Sequence, residues 1–293
     1  MDFEPVSYPI LDADDAVRRA EELLDSDSPA SVVESLRDLQ ERFPREARLY
    51  HVSAVLLETL ERYGEAEADY RKALFLGPGS DAEDVMLDLA ELYLAQERRR
   101  ECEELLMEVI SEAQASPRAM ALLADVRADL GEMIEAESLL RQALAAEPSA
   151  SWIARRLAEV LAAGGKHEEM LEVMEQVVAF EPELGVNHGY LGDALKALGR
   201  LDEAAAAFRR ALELDPEYAW AGRELCDLLA SRGEAEAAQA ILLKLLDQDP
   251  LDPYNLGYLG DFLRKAGRLS ESMESFRTAL WLMPEYSWAA WQL

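Results

Sequence analysis

The sequence predicts an all-α solenoid, a body of helix pairs stacked one on the next. Three observations carry this. Prolines fall at Pro148, Pro182, Pro216, Pro250 and Pro284, each 34 residues after the last. Glycines at Gly131, Gly165, Gly199, Gly233 and Gly267 keep the same step, and Pro44 and Pro78 are also 34 apart. Between these marks the chain reads as two amphipathic helices per period. A fixed period of this length with two helices in it means a solenoid, whose units touch only their neighbours.

The clearest unit is Gly185–Tyr218. Its first helix is expected from about Val186 to Leu198. Gly199 ends it, because glycine takes the left-handed conformation at least cost. The second is expected from about Leu201 to Leu214 and stops before Pro216, whose ring and missing N–H forbid continuation. Counting Gly185 as position 1, the repeats fall at 13–46, 47–80, 83–116, 117–150, 151–184, 185–218, 219–252 and 253–286, with residues 81–82 inserted. One unit cannot fold alone, since ordering it costs roughly 1.5 kcal/mol per residue, about 50 kcal/mol in all.

Two positions predict how the units stack. Position 8 is always small: Ala20, Ala54, Ala90, Ala124, Ala158, Gly192, Cys226 and Gly260. Position 24 is always large and apolar: Leu36, Tyr70, Leu106, Leu140, Met174, Phe208, Leu242 and Phe276. The first lets two helices approach closely, and the second plugs the space between repeats.

The early repeats depart from the pattern. In the first, Arg19 stands at position 7 and Asp27-Ser28-Pro29 makes the turn. Ser53 stands where leucine is expected. Glu97 takes the turn glycine's place and Gln114 the proline's, so the helix before it is expected to run on towards Ser116-Pro117. Met1–Asp12 is an irregular arm, and Asp12 is a candidate N-cap. Ser287–Leu293 begins a ninth first helix, in which Trp288, Trp291 and Leu293 are expected to leave apolar surface. That end reads as a cut or as a cap completed by a partner or a second copy.

Leu191-Gly192, Leu195, Ala204, Phe208, Ala211 and Pro216 sit at the signature spacing of the tetratricopeptide repeat, and the match recurs in register over most of the chain. The sequence therefore resembles that family. The resemblance implies a right-handed α-solenoid superhelix of about eight helix-turn-helix repeats. It also implies a concave groove lined by positions 2, 5, 6, 9, 12 and 13 of each first helix.

On those positions the groove would carry an acidic ladder at position 9: Glu21, Glu91, Asp125, Glu159, Asp193, Asp227 and Asp261, with Val55 as the exception. Trp152, Trp220, Tyr254 and Trp288 stand at position 2 and Tyr190 and Tyr258 at position 6, with Arg155, Arg156, Arg223, Arg264 and Lys265 beside them. Aromatic and Arg side chains carry much of the binding energy at interfaces. The expected partner is a protein or peptide segment with basic character. Two readings stay open: the acids and rings face a ligand, or the acids pair with neighbouring arginines and the rings pack on the preceding repeat. Acids at position 9 argue against the family's carboxylate clamp, because like charges repel.

Composition sets limits. The net charge of −30 argues against nucleic acid and anionic membrane as partners, since both need a basic face. Of 29 basic residues only five are lysine, which with the acidic charge reads as a GC-rich bacterial genome with solvated acidic faces or, alternatively, as adaptation to high salt. No run resembles a signal peptide or a membrane span, so the cytoplasm is the expected location. Cys102 and Cys226 fall on small seam positions and are expected as buried free thiols. His51, His167 and His188 show no metal-ligand spacing, and no nucleophile–base set or phosphate loop is visible. The chain is expected to need no cofactor and to act as an interaction scaffold. A recognition arm of a larger enzyme, or self-assembly through the Trp288–Leu293 end, are the alternatives.

Overall fold

The computed structural model describes residues 12–24, 29–77, 79–112 and 116–293. The Met1–Leu11 arm, the Asp27-Ser28 part of the first turn and the stretch at Gln114 lie outside the described residues. Seventeen α-helices are described. They are α1 (Ala13–Leu24), α2 (Pro29–Arg42), α3 (Ala47–Thr59), α4 (Tyr63–Leu76), α5 (Ala82–Ala95), α6 (Arg99–Glu112), α7 (Pro117–Asp129), α8 (Met133–Ala146) and α9 (Ser151–Ala163). They continue as α10 (His167–Phe180), α11 (Gly185–Ala197), α12 (Leu201–Leu214), α13 (Ala219–Ser231), α14 (Ala235–Gln248), α15 (Pro253–Lys265), α16 (Leu269–Leu282) and α17 (Ser287–Gln292). A 3₁₀ turn, Gly79–Asp81, precedes α5. Among the described residues there is no strand. The helices group into two compact units, one up to Ala146 and one from Glu147 to Leu293.

Local chemistry fixes the helix ends. Asp12 caps α1, its Oδ1 accepting from the Asp15 N–H at 2.9 Å. Ser116 and Asp252 cap α7 and α15 in the same way, each followed by a proline at the first helical position. At the turn after α11, Gly199 has φ 74° and the Arg200 N–H reaches back to Leu195 O at 2.9 Å, a Schellman closure. Glu61 and Glu97 take the same left-handed conformation, each at φ 58°, without glycine's freedom.

Within each unit consecutive helices pack, and some first helices also touch the next first helix, as α3 does α5 and α13 does α15. The position-8 and position-24 side chains meet as expected. Every position-24 residue is buried, and a Cβ added at Gly192 would lie 2.7 Å from Phe208 Cε1. At Gly260 the same atom would lie 2.8 Å from Phe276 Cε1. Ser53 has its own logic. Its Oγ donates to the buried Asp69 at 2.6 Å, and Arg37 and Gln40 donate to the same carboxylate. A leucine there would strip a buried charge of one of its donors. Cys102 and Cys226 are buried free thiols, and burial pushes them up to about 11 and about 12. His188 is half-buried, with Nε2 2.8 Å from Pro182 O.

Candidate functional site

In the first unit the groove positions are stitched by charge. Asp88, at position 6, meets His51 Nε2 at 2.7 Å and Arg118 Nη2 at 2.8 Å. Arg118 comes from position 2 of the following repeat and also bonds Glu91 at 2.8 Å. Burial works against the Asp88 charge, but hydrogen bonds from His51 and Arg118 outweigh it and hold the carboxyl below its usual range. Glu58 goes the other way: burial raises it despite a hydrogen bond from the Tyr70 hydroxyl, with Asp88 and Glu91 repelling it. Asp125 is half-buried on α7. Glu91 is therefore committed to Arg118, the internal pairing that the sequence left open.

In the second unit the same pair of positions carries rings. Tyr190 and Trp220 face each other at 6.5 Å, and Trp220 also meets Phe208 and Tyr218 at 5.8 Å each. The Tyr190 hydroxyl donates to Glu159. Tyr258 and Trp288 repeat the arrangement at 6.0 Å, and the Tyr258 hydroxyl donates to Asp227 at 3.0 Å. The position-2 tryptophans thus pack on the preceding repeat while keeping an open edge. Trp288 is 37% exposed. At the same end Trp291 is 86% exposed and Leu293 is exposed.

Arginines tie the neighbouring seams. Arg155 donates to the buried Asn187 at 2.9 Å, and Arg223 to the buried Asn255 at 3.0 Å. Arg223 lies over the Tyr254 ring at 5.3 Å and has Asp252 at 3.7 Å, and Arg156 lies over Trp152 at 5.4 Å. Arg155 and Arg223 are thus held across the seam between repeats, whereas Arg156 lies over a ring of its own helix.

The position-9 acids of this unit differ among themselves. Burial disfavours the Asp261 charge, but Lys265 and Arg264, each at 2.6 Å, hold it below its usual value. Burial raises Asp193 and repulsion from Glu224 adds to it, against the pull of Lys196. Burial and Glu224 likewise raise Asp227, more than its bond from Tyr258 lowers it. Lys196 itself is ion-paired with Glu224.

These residues bound a concavity of about 670 Å³. Its wall has five rings (Trp220, Tyr254, Tyr258, Tyr286 and Trp288), three carboxylates (Glu224, Asp227 and Asp261) and Arg223. The structure so brings Trp220, Arg223, Asp227, Tyr254, Tyr258 and Asp261 together. It places Trp152, Arg155, Arg156, Glu159, Tyr190 and Asp193 on the preceding first helices of the same unit, outside that wall. Glu224, Tyr286 and the His51–Asp88–Arg118 set were missed in the sequence. Tyr286 could have been found, because it stands 68 residues after Tyr218 in a matching stretch. Among the described residues no group of His, Cys, Asp or Glu could hold a metal ion, and no helix is long and apolar enough to cross a membrane.

The sequence profile described as tetratricopeptide repeat matches residues 59–126 and 195–254. Among curated proteins none matches this chain in sequence. Solved structures share the fold. A tetratricopeptide repeat protein from Parabacteroides merdae is 12% identical with a TM-score of 0.66, over 85% of this chain and 98% of its own. The PilF protein of Pseudomonas aeruginosa is 18% identical with a TM-score of 0.60, over 72% and 96%. MamA from Desulfovibrio magneticus is 21% identical with a TM-score of 0.50, over 58% and 95%. The 34-residue helix pair, its small-against-large seam and these likenesses agree on the fold: the chain is built of tetratricopeptide-type helix pairs.

Proposed function

We propose that this protein is a protein-interaction scaffold that receives an extended or helical segment of basic character, and that the groove wall of residues 147–293 holds it. The observation that carries the reading is the concavity itself. Five rings and three carboxylates line it, and Asp227 is raised by burial and like charge, with a tyrosine hydroxyl rather than a cation as its bonded donor. A lysine or arginine from a partner would supply the missing positive charge and lie against ring faces, which attract cations. The rigid rings lose little entropy on binding. On this reading the protein has no catalytic step of its own and works in the cytoplasm, where buried reduced thiols persist.

The test is capture of the native partner by the wild-type chain and by an Asp193→Lys plus Asp227→Lys chain, side by side. Loss of the partner from the reversed chain alone supports the reading. Equal capture by both would overturn it.

A further inference from the structure

Residues 185–220 and 253–288 are two copies of one pattern, 68 residues apart. Asn187, Gly189-Tyr-Leu-Gly-Asp193, Phe208, Tyr218 and Trp220 recur as Asn255, Gly257-Tyr-Leu-Gly-Asp261, Phe276, Tyr286 and Trp288. The copies are alike in space as well as in sequence. Trp220 meets its tyrosine, phenylalanine and tyrosine at 6.5, 5.8 and 5.8 Å, and Trp288 meets its own at 6.0, 6.0 and 5.8 Å. The interplanar angles are 36°, 77° and 37° in one cup and 36°, 74° and 34° in the other. In each, the central tyrosine hydroxyl donates to the position-9 acid of the repeat before it, Glu159 or Asp227. In each, an arginine one turn before that acid, Arg155 or Arg223, is clamped on a buried asparagine. At the seams between these, glycine and alanine replace the arginine and asparagine (Gly189 with Ala221, Gly257 with Ala289). The wall therefore repeats every two helix pairs, not every one.

We infer that the second unit carries two equivalent cation-accepting cups, one at Trp220 with Glu159 and one at Trp288 with Asp227, which together take a single protein segment bearing two Lys or Arg side chains. The inference rests on the groove reading above and adds the spacing. Neither acid is bonded to a cation, whereas Asp261 is already matched by Arg264 and Lys265. Packed helices lie roughly 8–10 Å apart. Two steps along the first helices therefore span roughly 16–20 Å, which an extended segment covers in about six residues. The segment would carry its two cations about six residues apart.

The experiment titrates the full chain, at fixed physiological ionic strength, with synthetic Ser/Thr/Asn peptides of equal length. One has no lysine, one a single lysine, one two lysines six residues apart and one two lysines three apart; tryptophan fluorescence reads binding. The six-spaced peptide is expected to bind roughly tenfold or more tighter than the single-lysine one, because the second contact is intramolecular. Glu159→Gln and Asp227→Asn are each expected to bring it back to the single-lysine level. If the single-lysine or three-spaced peptide binds as tightly as the six-spaced one, the two-cup inference falls and the groove reading stands. If no lysine peptide binds better than the lysine-free control, the groove reading falls with it.

Discussion

The two units use one seam in opposite ways. Position 6 of one repeat faces position 2 of the next. In the first unit that pair is Asp88 with Arg118, an ion pair at 2.8 Å. In the second it is Tyr190 with Trp220 and Tyr258 with Trp288, tilted ring pairs. Consequences follow for the position-9 acids beside these pairs. Beside an arginine, Glu91 is satisfied within the chain. In the second unit Asp261 is likewise matched by Arg264 and Lys265, but Glu159 and Asp227, the position-9 acids of the repeats before the ring pairs, receive only a tyrosine hydroxyl. On the reading proposed above, position 9 is used for internal pairing at Glu91 and for a partner's cation at Glu159 and Asp227.

The packing side of this contrast gives the largest expected effect. Gly192→Leu drives a side chain into Phe208, where even a Cβ would sit 2.7 Å away, and should cost up to about 3 kcal/mol by overpacking. A thermal melt within a degree of wild type would break the seam assignment. Next is the charge-stitched side. Asp69→Ala leaves the buried Ser53 hydroxyl without its acceptor and breaks the ion pair with Arg37, and should cost about 2 kcal/mol in a denaturant titration. An unchanged midpoint would show that this unit does not depend on its charges.

The acids themselves sharpen the comparison by sign. Asp88 is held below its ordinary value, so its contribution to stability is present above that value and lost as pH falls through the folded one. Asp193 and Asp227 are held above theirs, so their contribution is present at low pH and lost as pH rises through the raised values. At pH 7, Asp88→Asn should therefore melt below wild type, by about 1 kcal/mol given its partial exposure. Asp193→Asn with Asp227→Asn should melt at or above it. Destabilisation by both would erase the distinction between the units. The smallest effect is expected at the turns. Glu97→Gly relieves a left-handed φ of 58° and should add about 0.5–1 kcal/mol, whereas the same change at an ordinary helical site would subtract it.

Much of the fold could be read from the residues. Leu201–Leu214 was expected as a helix and is one, because Gly199 and Pro216 bound it by backbone geometry alone. α11 starts and ends one residue before expectation, since a Schellman turn closes on Leu195. Glu97 stood out as a residue in a glycine's place; Glu61, in the same conformation, was not singled out. The site was less legible. Which partner an acid takes depends on a side chain about 30 residues away, as with Glu91 and Arg118 or Glu159 and Tyr190. A 34-residue register aligns those positions but not the choice between an arginine and a ring. Only the 68-residue step, visible in Gly189–Asp193 and Gly257–Asp261, separates the two kinds of seam.

The measurement that tests the central contrast most directly is the affinity of the six-spaced lysine peptide for the wild-type chain, Asp227→Asn and Glu91→Gln at 0.15 M salt, where charges beyond about 8 Å are screened. The account predicts a loss of roughly tenfold for Asp227→Asn and less than about twofold for Glu91→Gln. Equal losses in both would mean that the peptide senses overall acidity, and that position 9 has one role along the chain.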